Sequence, residues 1–334
     1  SKYKLFSDVF RSLDVKQVNF EDICETIVKD QLSVLTYLDI GMDALITKLA
    51  GLRLAPIQCL SWGHPITSGS PTIDYFLSSD LMEPAHGEQH YCEQLIRLPN
   101  LSISYPDPQP AILEITNRKQ RSDFNLRDTA IIYLSCQSLY KYLPQYDYIF
   151  AAIAQRVPQA QFAFLCYQYG QKINEKFYRR LAKAFAKFGL NSEDYCVILP
   201  RLDQYNYFAL NTISDVYLDT LSWSGGNTTL EAIGCNLPVV TCPGKFMRGR
   251  HSYAILQMLE VTETIAHTEA EYIDIAVRLG LEPEWRQTIR EKIAVNHANL
   301  YSDRVCIDAL ETFYLQAIKQ YSEPKNKQFN RFVN

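Results

Sequence analysis

The sequence predicts an α/β protein of two Rossmann-like domains, the first lacking its opening strands. Three observations carry this reading. Short apolar runs alternate with longer amphipathic stretches, the pattern of parallel sheets flanked by helices. At 334 residues the chain exceeds what one hydrophobic core ordinarily serves. The rhythm also breaks once, over the polar residues 100–128 with Pro106, Pro108 and Pro110, and then restarts. The expected division is a partial first domain with its linker over 1–124, a second domain over 125–322, and a polar tail over 323–334.

In chain order, the first half offers four strands, at 32–40, 55–63, 73–79 and 93–99, where a full domain of this class has about six. Beyond the linker, strands are expected at 129–136, 160–168, 194–200, 214–220 and 237–242. Helices are expected between them at 144–157, 174–189, 203–212 and 227–235, with closing helices at 248–260, 269–280, 282–298 and 302–321. The second half therefore reads as a nearly complete doubly wound domain.

Composition excludes several classes. Apolar residues make up 47% and charged residues 21%, which suits a globular core. A net charge of −4 without a basic run argues against nucleic acid as partner. No apolar stretch is long enough to span a bilayer, and the opening residues lack the apolar centre of a signal peptide. The nine cysteines include no C-x-x-C pair, so they read as reduced thiols of a cytoplasmic protein. No metal motif and no D-x-D triplet occurs, and neither a G-x-S-x-G elbow nor a Walker loop is present.

The segment of densest chemistry is DVYLDTLSWSGGNTTLEAIGCNLPVVT, which runs strand, glycine turn, helix, strand. Gly225 and Gly226 are expected to let the backbone turn with no Cβ in the way. Asn227, Thr228 and Thr229 then open a helix whose free N–H groups and dipole favour an anion. Glu231, one turn further in, is placed to accept both hydroxyls of a ribose. The plain alternative is an N-capped helix after a glycine turn, with Glu231 a solvated surface charge.

This segment resembles the nucleotide-binding turn of glycosyltransferases of the GT-B fold. Further stretches resemble the O-GlcNAc transferase and Spindly branch of that group: LAPIQCLSWGHPITSGSPTIDYFLSS, LTYLDIGMD, LSCQSLYKYLPQ and EYIDIAVRLG, in the family's order across most of 20–300. The resemblance implies that Lys141 contacts the diphosphate of a UDP-sugar donor, with Gln137, Ser138 and Tyr140 in the same loop. It implies base contacts near Leu202, with the ring of Tyr207 against the base; the alternative for Tyr207 is a core aromatic. His64, Thr67 and Ser68, in a loop fixed by Gly63 and Pro65, would face the sugar or acceptor, with a structural histidine as the alternative. Arg250 and His251 would approach the phosphates, while His86, His90, His267 and His297 read as surface or capping residues.

The expected function is inverting transfer of N-acetylglucosamine or a hexose from UDP to a protein side chain. It needs no metal and no cofactor beyond the donor substrate, and the domains would close about the linker. Two alternatives stand beside it: a non-catalytic subunit that binds a protein partner, and a UDP-sugar epimerase. Relatives of this kind carry upstream helical repeats and a His-bearing opening strand. Neither occurs before residue 20, so the expectation is the C-terminal part of a longer protein.

Overall fold

The computed structural model describes residues 19–108, 119–168 and 170–322. The expected tail over 323–334 and part of the linker, 109–118, lie outside the described residues. The chain is α/β, with two sheets whose registered pairs are all parallel.

The first sheet has the order β1-β2-β3-β4, with β1 Val34–Tyr37, β2 Ile57–Ser61, β3 Tyr75–Ser79 and β4 Gln94–Leu98. All four fall within expected strands. Two short helices were not foreseen, α1 Phe20–Lys29 and α2 Ala44–Ala50. Their start signals were present in the sequence. Asn19 accepts from Asp22 N at 2.8 Å and Asp43 from Ile46 N at 2.8 Å, each satisfying a helix-end donor.

The second sheet has the order β7-β6-β5-β8-β9. Its strands are β5 Ile131–Ser135, β6 Ala160–Leu165, β7 Cys196–Leu199, β8 Val216–Leu218 and β9 Val239–Val240. The chain starts at the centre, builds outward to β7, then returns to the other side of β5. The gap between β5 and β8 is thus the point where the winding reverses, and ligands of open parallel sheets bind outside the strand ends there. The connecting helices are α3 Tyr148–Arg156, α4 Gln171–Ala186, α5 Gln204–Ile213, α6 Asn227–Gly234 and α7 His251–Met258. Then come α8 Glu269–Leu281, α9 Pro283–Asn296 and α10 Val305–Ser322. Among the described residues no helix is long and apolar enough to cross a membrane.

Two compact units result. One comprises the described residues of Ser1–Ser78, Glu88–Ile96 and Ala309–Asn334; the other Ser79–Gly87 and those of Arg97–Asp308. This differs from a single cut at 124/125. Most of the helix expected to close the second domain belongs to the first unit. There Tyr314 Oη lies 2.8 Å from Thr36 Oγ1, and the Phe313 ring stands edge-on to Tyr75 at 5.1 Å. Apolar periodicity reveals that a helix has a buried face, not which sheet that face will meet.

The core of the second unit is aromatic. Phe150 packs edge-on to Phe164 at 5.0 Å, and Tyr133, fully buried in β5, stacks on Phe162 at 5.3 Å. The Tyr133 hydroxyl crosses to α8 and donates to Ala276 O at 2.9 Å. That crossing fixes a glycine, because a Cβ on Gly280 would stand 2.1 Å from Tyr133 Oη. Helix propensity alone favours Gly280→Ala by about 1 kcal/mol. Overpacking should outweigh this, so we expect net destabilisation of about 1–3 kcal/mol in urea unfolding. A stabilised variant would contradict this packing.

Candidate nucleotide-sugar site

The site is built where β5 and β8 end. Asp219, one residue past β8 and only 4% exposed, carries a carboxylate that accepts four hydrogen bonds. Oδ1 takes Thr220 N at 3.0 Å and Gly225 N at 2.8 Å; Oδ2 takes Ser224 Oγ at 2.6 Å and Thr241 Oγ1 at 2.8 Å. Burial pushes its carboxyl above the ordinary range, and the hydrogen bonds from Ser224, Gly225 and Thr241 oppose that shift. Tyr272 Oη donates to the Asp219 carbonyl at 2.8 Å. The six residues from Asp219 to Ser224 are thereby drawn into one fixed loop, and the glycines begin where it closes.

The glycines serve different ends. A Cβ on Gly225 would meet Gln137 Nε2 at 2.6 Å, Thr228 Oγ1 at 2.6 Å and Thr229 Oγ1 at 2.7 Å, so this position admits only hydrogen. A Cβ on Gly226 would meet nothing closer than His251 Nδ1 at 3.5 Å, an ordinary contact. The expectation that both glycines clear the turn therefore holds for Gly225 on steric grounds and not for Gly226. Gly226 leads into α6 without a side-chain cap, leaving the helix start open to an anion. At its other end α6 stops as Asn236 takes a positive φ of 54°, a conformation asparagine tolerates.

The two threonines also part. Thr229 is fully buried, with Oγ1 2.7 Å from Ser252 Oγ, so its hydroxyl belongs to the packing between α6 and α7. Thr228 stays partly exposed and accepts from Gln137 Nε2 at 2.5 Å. Asn227 is exposed. Gln137, 5% exposed, also holds Lys141: its Oε1 accepts from Lys141 Nζ at 3.1 Å. Lys141 ends a single 3-10 turn, Leu139–Lys141, rather than starting a helix, and its ammonium lies 5.8 Å over the Trp223 ring. Burial lowers its pKa, and Asp219 opposes that. In the same loop Ser138 and Tyr140 are exposed.

Other expected contacts are placed differently. Arg250 donates through Nε to Met82 O at 2.8 Å and stacks on Tyr253 at 4.6 Å, so its guanidinium braces backbone in this structure. His251 is buried, and burial together with the charge of Lys141 depresses its pKa to about 3, which keeps the imidazole neutral. Tyr207 is 8% exposed within α5 and presents no open ring face; it is the core aromatic that the sequence allowed as an alternative. Leu202 is partly exposed after β7. Of the two readings of His297, capping holds and surface does not: it is the C-cap of α9 and is buried, with Nε2 2.8 Å from Asp107 Oδ1. Beside the β8 and β9 loops lies a hollow of about 550 Å³ bounded by Tyr146, Ser222, Cys242, Gly244, His267 and Glu269. That volume is in the ordinary range for a small-molecule site.

The sequence profile described as Glycosyl transferase family 41 matches residues 104–307. The chain belongs to glycosyltransferase family 41. It is similar to the probable UDP-N-acetylglucosamine–peptide N-acetylglucosaminyltransferase SPINDLY of Oryza sativa subsp. japonica, with 29% identity over 71% of this chain and 25% of that protein. The Petunia hybrida SPINDLY is 25% identical over 72% of this chain and 25% of its own length. The chain thus spans about a quarter of these curated relatives. Among solved structures, an O-GlcNAc transferase variant from Thermobaculum terrenum superposes with a TM-score of 0.78 at 23% identity, covering 91% of this chain and 57% of that one. Sucrose-phosphate synthase from Thermosynechococcus elongatus matches with a TM-score of 0.60 at 14% identity, over 90% and 77% of the two chains. These likenesses establish the GT-B type of fold.

In the first unit, the loop GHPITSG is held by a residue that sequence reasoning missed. Glu93, 5% exposed, accepts from Thr67 Oγ1 at 2.7 Å and Ser68 N at 2.7 Å, and also from the Ser68 hydroxyl. Burial pushes its carboxyl up, but the bonds from Ser68 and Thr67 win and hold it below the usual range. Thr67 and Ser68, expected to face a sugar or acceptor, are therefore spent on shaping the loop. His64 packs over Gly41, where a Cβ would lie 2.9 Å from its ring, and burial lowers its pKa. Asp219 was likewise missed. It stood inside the segment read for its glycines, but nothing in the one-dimensional pattern marks a carboxylate that will collect donors from both sides of a turn.

Glu231 lies half-buried on α6, and burial raises its carboxyl to about 7. A folded-state pKa above the unfolded value means the folded chain holds a proton that the unfolded chain releases. The resulting penalty is absent well below pH 4.5 and complete above pH 7. Glu231→Gln should therefore stabilise the protein at pH 8 and do so much less at pH 5. Urea unfolding at both values checks this, and an equal effect at the two would contradict the burial of the carboxylate.

Proposed function

We propose that this chain binds a UDP-sugar in its second unit and transfers the sugar, with inversion, to a protein side chain. The single observation that carries the donor site is the uncapped start of α6 set beside Lys141, both fixed by Gln137. Helix-start N–H groups and a lysine together suit a diphosphate. The Glu231 carboxylate, with no hydrogen bond among the described residues, remains available as the acceptor for ribose hydroxyls. Family membership supports the reaction class, and the names carried by the SPINDLY relatives support UDP-N-acetylglucosamine and a peptide acceptor.

The chemistry follows from charge. An acceptor group attacks the anomeric carbon on the face opposite the diphosphate. As the glycosidic bond breaks, negative charge grows on the leaving phosphate oxygen. Lys141 and the helix start are in place before this happens, so they stabilise the transition state more than the bound donor. His251 stays neutral and adds no competing charge change.

A non-catalytic binding subunit is the second reading, favoured by the burial of Tyr207, which leaves the base without that stacking face. Calorimetry with UDP and GDP separates the two: absence of binding by either at millimolar concentration would abandon the donor site. Incubation with donor alone, followed by product analysis, excludes or reveals an epimerase. For the transferase, Lys141→Ala should lower transfer by about a hundredfold or more while leaving thermal unfolding nearly unchanged. Unaltered turnover in that variant would remove Lys141 from the reaction.

A further inference from the structure

We propose that Gln137 is a positioning residue that sets the polarity of the site, so that the groups around it present donors to the diphosphate of a nucleotide. The proposal rests on the donor-site reading above and says how that site recognises its anion.

The argument begins with what a lysine can do. An ammonium has three protons and no acceptor, so the atom of Gln137 that lies 3.1 Å from Lys141 Nζ has to be the amide oxygen. This fixes the amide against its flipped form. The NH2 then faces the other way, 2.5 Å from Thr228 Oγ1 and 3.1 Å from Tyr217 Oη. Its two protons serve these two hydroxyl oxygens. Thr228 accepts there, so its own proton does not go to Gln137: it is shared with the neighbouring Tyr217 hydroxyl or presented on the partly exposed side of the helix start. Lys141 keeps two further protons.

Burial makes this direction persistent. Gln137 is 5% exposed, and Gly225 approaches so closely that a Cβ there would stand 2.6 Å from Nε2. The amide has little room to turn. The nearby carboxylate of Asp219 is consumed by its own four donors. Gln137 thus links the loop after β5 to the turn after β8 and aligns both toward one anion.

Gln137→Glu tests this because it preserves shape and reverses polarity. A carboxylate still accepts from Lys141, but it neutralises the ammonium and takes a proton from Thr228 where the amide gave one. Titration calorimetry with UDP, inorganic pyrophosphate and uridine reads the effect. Gln137→Glu should lose at least about tenfold in affinity for UDP and pyrophosphate, while uridine affinity stays within about twofold. Gln137→Leu, which removes the tether without adding charge, should lose less than the glutamate variant. A purely structural role predicts the reverse order, because glutamate is the closer mimic of shape, and it predicts that uridine binding suffers equally. Either result overturns the proposal. Should Gln137→Glu fail to fold, as judged by thermal unfolding, the leucine variant still decides: equal losses for UDP and uridine would refute the assignment. Absence of UDP binding by the unaltered protein would instead remove the donor site itself, and this inference with it.

Discussion

The buried carboxylate of Asp219 is the constraint on which the candidate site depends. A charge removed from water is tolerated only when its lone pairs are satisfied, and here four donors from Thr220, Ser224, Gly225 and Thr241 supply that. The same bonds shape the turn. Gly225 N is pulled toward the end of β8, which draws the Gly225 Cα against Gln137 and the two threonines. The start of α6 is then left pointing outward without a side-chain cap. An electrostatic requirement at one atom pair thereby sets the direction of an entire helix terminus.

From this follows a division of labour among residues that look alike. Thr228 and Thr229 are neighbours of the same type, yet one hydroxyl is sealed against Ser252 and the other lies at the helix start beside Gln137. A helix places successive side chains about 100° apart, so adjacent residues cannot share a face. The first unit repeats the theme: Glu93 takes up Thr67 and Ser68 much as Asp219 takes up Ser224 and Thr241. In both units a loop at the end of a strand is shaped by a buried carboxylate collecting hydroxyl and amide donors. Polar residues of the kind a ligand would need are first used to make the loop.

Much of the fold was legible in the chain. Each described strand lies inside an expected apolar run, because a strand buried on both faces needs a continuous apolar stretch that few other structures require. The helices α1 and α2 escaped notice because they are short and their signals are single caps, Asn19 and Asp43, rather than long periodic faces. The candidate site was legible where its geometry is local: the glycine turn, Lys141 and Glu231 were all named from spacing or resemblance. It was illegible where partners are distant in sequence. Glu93 meets residues some 25 positions away, Asp219 reaches Thr241 across 22 positions, and Gln137 meets Thr228 across 91.

The sequence by itself determined the strand and helix rhythm, the doubly wound second half, and the presence of a helix start directly after the glycine turn. These depend on local periodicity and on residues within one turn of each other. Only the tertiary structure decided that Ala309–Ser322 returns to the first unit, that Tyr207 and Thr229 face inward, and that Arg250 braces backbone. Those outcomes depend on which surfaces meet. A buried face or a free hydroxyl is encoded locally, but its partner is chosen by packing that brings remote segments together.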